Sequence, residues 1–524
     1  MRKILLFLLV LSVSYTFGQD NVTLLGKFTY TNDLSDIWGY VDDDGNEYAL
    51  VGTISGLSIV DVTNPDSLAE VHFEPGVTSV WRDIKTWDNY AYVSTEGGGG
   101  ITIIDLSPLP GTITTSTTFT GSAYPFTRSH NVYIDESGKL YIFGSNYGLG
   151  GAIICDLTAD PMNPVELGVY DENYFHDGMV RGDTLWGAAI YQGKLMAVDV
   201  SDPANPVTLG SAQTPGNFTH NIWVSDNGQN VFTTDEESGA YITAFDVSDM
   251  NDIYETDRVR SNPGSGVIPH NVHVQNNYLV TSYYTDGVVI HDASRPGNVI
   301  EVGNYDTSPQ YSGNGFHGCW GAYPFLPSGN ILASDIEEGL YVLGPDYKRA
   351  CYVEGTVTDS ITGLPLESVS VTILETDIST TTGADGSYAF GTVEAGTYDI
   401  EYALTNYPSD TVKNVSLVNG ELTIINVALL SVFTGLTPNS EDIRLVAYPN
   451  PFIYEMKIDF ELDGLLFSGT EIRVFNMYGQ LIEKIAVNTT SGTLTIGNGY
   501  PKGLYLIEID NGRQMLKSLK VSKQ

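Results

Sequence analysis

IPHNVHVQNNYLVTSYYTDGVVIHDASRPGNVIEVGNYD, residues 268–306, contains four short runs of alternating apolar residues: VHV, YLVTSY, GVVIHD and VIEVGNY. The breaks between them carry turn chemistry, at Asn276-Asn277, Asp286-Gly287 and Arg295-Pro296-Gly297. Each run has the length of one strand, so the stretch reads as a four-stranded antiparallel meander. A lone meander cannot bury both of its faces, and the chain is therefore expected to repeat it.

It does. The third run, a Gly followed by apolar residues and an Asp, recurs as GLSIVDV ending at Val62, GITIIDL at Leu106, GAIICDL at Leu157, GKLMAVDV at Val200, AYITAFDV at Val247 and, frayed, GLYVL at Leu343. With GVVIHD the copies number seven and lie about 43 to 51 residues apart, the period of a propeller blade. The expected fold is all-β: a seven-bladed β-propeller over residues 22–345, followed by two small β-sandwich domains. After Leu343 the seventh blade lacks a fourth strand, while VTLLGKFTY, Val22 to Tyr30, has the look of the fourth strands VTLGSAQ and VIEVGNY. That segment is expected to close the last blade and so remove an open sheet edge.

Ahead of each copy sits the innermost strand, and its entry residue is often His. The pairs are His130-Asn131, His176-Asp177, His220-Asn221, His270-Asn271 and His317-Gly318, with Trp38-Gly39 and Arg82-Asp83 in the first two blades.

The 524 residues are enough for several domains, and 33 Tyr and 55 Gly with many Thr and Val suit sheets rather than helices. A formal charge of -40 disfavours nucleic acid and anionic membranes and favours divalent cations or cationic ligands. Residues 1–18 combine Arg2-Lys3, an apolar stretch from Ile4 to Val13 and small residues before Gln19, the layout of a secretory signal peptide. No later run is long and apolar enough for a transmembrane helix. Cys155, Cys319 and Cys351 are too few for a disulfide scaffold, which leaves a Cys319–Cys351 pair or buried free thiols.

Residues 351–430 change pattern. The GTVTD opening, the G-x-P-L-x-x-V-x-V strand and the T-G-A-D-G-S-Y hairpin resemble the carboxypeptidase regulatory-like β-sandwich family, which implies a spacer or interaction module. Residues 431–446 are polar enough for a linker. In residues 447–524, AYPNPF, IRVFNMYGQLI and PKGLYLIEIDNGRQMLKSLKVSK resemble the C-terminal sorting domain of the type IX secretion system. That resemblance implies the secretion machinery as a partner and delivery to the outer cell surface or the medium. The repeat region, through GLSIVDVTNP, HNVYI, THNIWVSDNG, IPHNVHV and GAYPFLPSGNILASDIEEGLYVL, resembles LVIVD-repeat proteins of the choice-of-anchor B family. No settled activity comes with that likeness.

In a propeller the innermost strands line the axis, so His130, His176, His220, His270 and His317 are expected to converge at one mouth. Glu96, Asp235, Glu236, Asp286, Asp335 and Glu337, from loops between second and third strands, are expected to rim it, with Arg82 and Arg128 placed to clamp a carboxylate. Neutral imidazoles with carboxylate neighbours suit a divalent transition metal. Three readings stay open: a metal site, a ligand site without metal, and residues repeated only to build blades. Asp42 to Glu47 has oxygen groups at calcium-loop spacing but falls where other blades place a hairpin turn. G-x-S-x-G, H-E-x-x-H and phosphate-loop motifs are absent, and Ser129 beside His130 points to the opposite face of its strand, so no catalytic residue is assigned. The expected function is a monomeric extracellular binding protein; the alternatives are a metalloenzyme, such as an oxidoreductase, and a structural surface protein.

Overall fold

A computed structural model describes residues 20–431, 443–462, 469–510 and 515–524. The expected signal peptide lies outside these residues, as does most of the expected linker. Strand Ile443–Tyr448 begins inside that linker, because Ile443 and Leu445 are buried in the core of the last module.

The described residues are all-β, with one short 3-10 turn at Pro65–Ser67. Residues 22–345 form seven four-stranded antiparallel sheets of blade size. Their first strands are Leu34–Val41, Ile84–Trp87, Asn131–Ile134, Gly178–Arg181, Thr219–Val224, Val272–Gln275 and Cys319–Tyr323. Each neighbours the next, and the last neighbours the first. Sheets therefore cover both faces of their neighbours, which is why strands such as Glu47–Thr53 and Asn230–Asp235 are buried along their whole length.

The seventh sheet takes its fourth strand from the start of the described chain. Val22–Phe28 pairs antiparallel with Gly339–Pro345, from Val22 opposite Pro345 to Phe28 opposite Leu340. A glycine shared by the outer strands marks how sheets dock. A Cβ on Gly168 would lie 1.7 Å from the Pro203 carbonyl oxygen, on Gly210 2.2 Å from that of Met250, and on Gly26 2.3 Å from that of Pro65. In each case the obstacle is the turn after the third strand of the next sheet. At Gly303 the same place is taken by Asp20, just ahead of the strand that completes the seventh sheet.

The stretch with calcium-loop spacing is a hairpin turn. Asp42 Oδ1 accepts from the amides of Asp44 and Asn46 at 3.0 and 2.8 Å, and its other oxygen from Tyr48 at 2.9 Å. Asp135 does the same work for Ser137 and Lys139 in the third sheet, with Gly45 and Gly138 at φ 84° and 82°. Cys155, Cys319 and Cys351 are all buried free thiols, so Cys319 and Cys351 form no disulfide.

One core position departs from the repeat. His291 stands where the other sheets have Val60, Ile104, Cys155, Val198 and Phe245; it is fully buried and neither ring nitrogen has a partner. Burial pushes its pKa down to about 3. The folded state keeps the ring neutral while the unfolded chain takes up a proton below about pH 6.5, so stability falls as pH drops through that window. His291→Val is expected to raise stability by about 1–3 kcal/mol at pH 7 and to flatten its acid dependence, measured by urea unfolding across pH. Equal midpoints at every pH would contradict this.

Residues 351–430 hold two sheets: Ser387–Thr392, Cys351–Asp359 and Leu422–Ile424 with Val427–Leu429, and the four strands Ser379–Thr381, Ser370–Ile373, Gly396–Ala403 and Asp410–Leu417. The last module holds a three-stranded sheet, Ile443–Tyr448, Met456–Leu462 and Ser491–Ile496, and a four-stranded one, Leu481–Ala486, Glu471–Asn476, Gly503–Asp510 and Met515–Lys523.

Candidate functional site

The first strands are joined through the residue that follows each His. Asn131 Nδ2 donates to Asp83 at 3.0 Å, and the same carboxylate accepts the Val132 amide. Asn221 Nδ2 donates to Asp177 at 3.0 Å, and its oxygen accepts the Val272 amide at 3.0 Å. In the first sheet this place belongs to Asp36, which accepts the Ile84 amide, and not to Trp38-Gly39. The expected Trp38-Gly39 pair lies three residues further along the strand than Ser35-Asp36. The Asn/Asp partner thus carries the repeated structural task, and the His beside it is left to face the mouth.

Four of the five expected imidazoles form an arc. Ring centroids are 3.8 Å apart for His130 and His176, 4.2 Å for His176 and His220, and 4.5 Å for His220 and His270. Carboxylate and carbonyl oxygens only accept hydrogen bonds, so they fix the tautomers. His130 Nδ1 donates to Glu96 at 2.7 Å, His176 Nδ1 to Asp177 at 3.0 Å and His270 Nδ1 to the Trp320 carbonyl. A neutral ring held in this way carries its lone pair on Nε2. His220 Nε2 and His270 Nε2 each lie 3.7 Å from Glu236, whose carboxylate also accepts from Tyr284 at 2.6 Å.

Among the described residues two groups are compact enough for an ion: His220, Glu236 and His270, and His130, His176 and Asp177, each with its ligand atoms within 4.8 Å of one another. Burial drives the His270 pKa down to about 3, and burial with the neighbouring imidazoles holds His220 far below its ordinary range. His176 is lowered by burial and by His130. For His130 burial opposes charge, but the Glu96 hydrogen bond and the charges of Asp177 and Glu96 prevail and raise it. Burial lifts Glu236 to about 7 against the Tyr284 hydrogen bond. Burial would lift Asp177 as well, yet the imidazoles of His176, His220 and His130 hold it below the usual carboxylate range.

His220, His270, His130 and Asp177 open onto a narrow recess with Asp36, Asp83, Asn131, Asn271, Trp81, Arg82 and Trp320. Its free space is about 20 Å³, room for one water molecule or a bare ion. Three atoms of its lining, His220 Nδ1, Asn131 Oδ1 and Asn271 Oδ1, are buried without a hydrogen-bond partner. Beneath it the axis is filled by rings: Trp223 lies 4.5 Å from His273, 5.7 Å from Phe325 and 5.9 Å from Tyr133, and Trp38 lies 5.9 Å from His273.

The other expected site residues lie elsewhere or do other work. His317 is half exposed, stacked on Tyr311 at 4.2 Å and bonded to Glu337 at 2.6 Å. Gly318 at φ 86° turns the chain there, and Trp320 faces the recess in its place. Arg82 clamps no carboxylate: its guanidinium donates to the carbonyls of Thr53, Ile54 and Val77 and ties two loops together. Asp235 accepts from Thr214, Gly216 and Phe218, Asp286 from Ser261, and Asp335 from Thr307, so these acids brace loops. Arg128 is exposed, and its charge helps to lower the Glu96 pKa after the dominant His130 hydrogen bond. Glu96 and Glu236 reach the arc. The sequence reading missed Asp177, Tyr284 and Trp320 as site residues; the Asp in place of Asn after His176 was the one available signal.

Comparison with known proteins agrees with this architecture. The LVIVD repeat family matches residues 45–72, 81–110, 189–214 and 269–307. The carboxypeptidase regulatory-like domain matches residues 352–430, and the secretion system C-terminal sorting domain residues 446–523. Human carboxypeptidase D is 32% identical over 102 residues, which are 19% of this chain and 7% of that protein. The chain therefore spans a small part of that relative's length. Among the described residues no helix is long and apolar enough to cross a membrane. The sorting domain indicates export through the type IX system to the cell surface or the extracellular space. This chain is an exported protein of LVIVD repeats joined to a carboxypeptidase regulatory-like domain and a type IX C-terminal sorting domain.

Proposed function

We propose that the seven sheets are the blades of one closed propeller, and that this exported ectodomain is a binding protein whose mouth holds a divalent transition cation on His220, Glu236 and His270. The observation that carries the reading is the compact group itself, three residues with ligand atoms within 4.8 Å of one another; His220 and His270 also line an ion-sized recess whose unpaired buried polar atoms cost about 1–3 kcal/mol each unless something binds there. The ligand chemistry agrees. Both imidazoles are held neutral by burial, His270 is oriented by a backbone carbonyl, and Glu236 is oriented by Tyr284. Imidazole nitrogen favours zinc, copper, nickel or iron over calcium or magnesium. The aromatic layer beneath confines the site to the mouth, which suits binding rather than passage along the axis.

Full-length protein, stripped with a chelator and reloaded with Zn²⁺, is expected to retain the ion after desalting. His220→Ala and His270→Ala are each expected to weaken Zn²⁺ affinity by about 100-fold or more in calorimetric titration. Retention below about 0.2 ion per chain would refute the reading, because a site with several protein ligands holds its ion tightly.

A further inference from the structure

We infer that the mouth has a second cation position, on His130, His176 and Asp177, directly beside the first. The inference rests on the proposed site at His220, Glu236 and His270 and adds a neighbour to it.

Four observations carry it. The ligand atoms of the three residues lie within 4.8 Å of one another, as compact a group as the first. Glu96 accepts from His130 Nδ1 at 2.7 Å, which leaves Nε2 as the ring nitrogen an ion would take in place of a proton. A carboxylate behind an imidazole is the arrangement that orients metal-binding His and raises its basicity. Asn131 Oδ1, on the residue next to His130, is buried without a donor, an oxygen suited to a water on that ion. The electrostatics also allow two ions. Asp36, Asp83, Asp177, Glu96 and Glu236 all lie around the arc or the recess floor, while Arg82 is spent on backbone carbonyls. Among the described residues Lys85 is bound to Asp83 at 2.9 Å.

The two groups adjoin through His176 and His220, whose rings are 4.2 Å apart. Ions bound to both would be near enough to share a bridging water or an oxyanion such as phosphate or a carboxylate.

Metal-free full-length protein titrated with Co²⁺ tests this, read by elemental analysis and by electron paramagnetic resonance. The expected result is two ions per chain with a spin-coupled spectrum. His130→Ala and Asp177→Asn are each expected to hold one ion with an uncoupled spectrum, and His220→Ala likewise. Thermal melts in chelator check that each variant folds; if His130→Ala does not, the wild-type stoichiometry and Asp177→Asn decide. One ion per wild-type chain, unchanged in His130→Ala and Asp177→Asn, would overturn the second position and leave the first standing. Two uncoupled ions would also overturn it, by placing the second ion elsewhere. No ion at all would remove both.

Discussion

A chain lacking residues 19–30 will lose the cooperative thermal transition of the sheet ring, and a peptide of residues 22–28, VTLLGKF, added in trans will restore it. In the full chain Val22–Phe28 supplies the last strand of the seventh sheet. Without it the edge of Gly339–Pro345 is bare and the turn at Pro65 of the first sheet loses the strand that docks on it. Val22 is only 2% exposed and packs with Tyr305, Tyr341 and Leu343. Lys27 adds an ion pair to Glu338 at 2.7 Å and lies 4.7 Å over the Tyr341 ring. Asp20 and Asn21 add bonds to the sixth sheet, through the Asn304 amide and the Val302 carbonyl. At about 1 kcal/mol per hydrogen bond plus the buried side chain, the loss is roughly 5 kcal/mol or more, a large share of what a domain has. The bare edge is also a template for a second chain, so the truncated protein should associate. Adding the peptide tests this by strand addition, with a scrambled peptide as control. A truncated monomer that melts where the full chain does would show that the ring needs no such closure.

The sheet order was legible because it rests on local chemistry that repeats: turn residues between short apolar runs, and an outer-strand glycine that Val22–Phe28 shares. The Gly26 contact with Pro65 gives that glycine its reason, a neighbouring turn with no room for a side chain. Blade entry residues were legible only in part. His130, His176, His220 and His270 recur at one position and meet, whereas His317 shares their spacing and is carried off by the turn at Gly318. Spacing registers where a residue sits along a strand and not which way the turn beside it faces. The acids show the same limit. Asp235 and Glu236 are adjacent, yet one braces the loop at Thr214 and the other faces two imidazoles. Tyr284 and Trp320 belong to no repeated pattern, so nothing in the chain marked them.

Lys85→Met will destabilise the ring by about 3–5 kcal/mol at pH 8, because it leaves buried carboxylates without their counter-ion. Lys85 is buried under the recess, where its ammonium donates to both oxygens of Asp83 at 3.0 and 2.9 Å and to the Ile84 carbonyl, and lies 3.9 Å from Asp36. It also lies 4.3 Å over the Trp38 ring. Burial raises the pKa of both acids, most of all Asp36, where Asp83 adds to the effect and Lys85 opposes it. Without the ammonium both would rise further above their unfolded value, so the native state would bind more protons than the unfolded chain, and stability would fall as pH rises. The gap to wild type should therefore widen from pH 5 to pH 8 in chemical denaturation. Lys85→Met combined with Asp36→Asn and Asp83→Asn should recover most of the loss, since each Asn oxygen can still accept the Ile84 or Val132 amide that the acid accepts now. A triple variant no more stable than Lys85→Met would show that the ammonium acts through packing. The same substitution bears on the mouth, because Asp36 and Asp83 line the recess. Removing the positive charge beneath them should tighten Zn²⁺ binding at pH 8, so chelator-stripped Lys85→Met should gain more thermal stability from added Zn²⁺ than wild type does. An equal gain in the two proteins would mean that the recess does not feel this charge, and that the ion is held elsewhere.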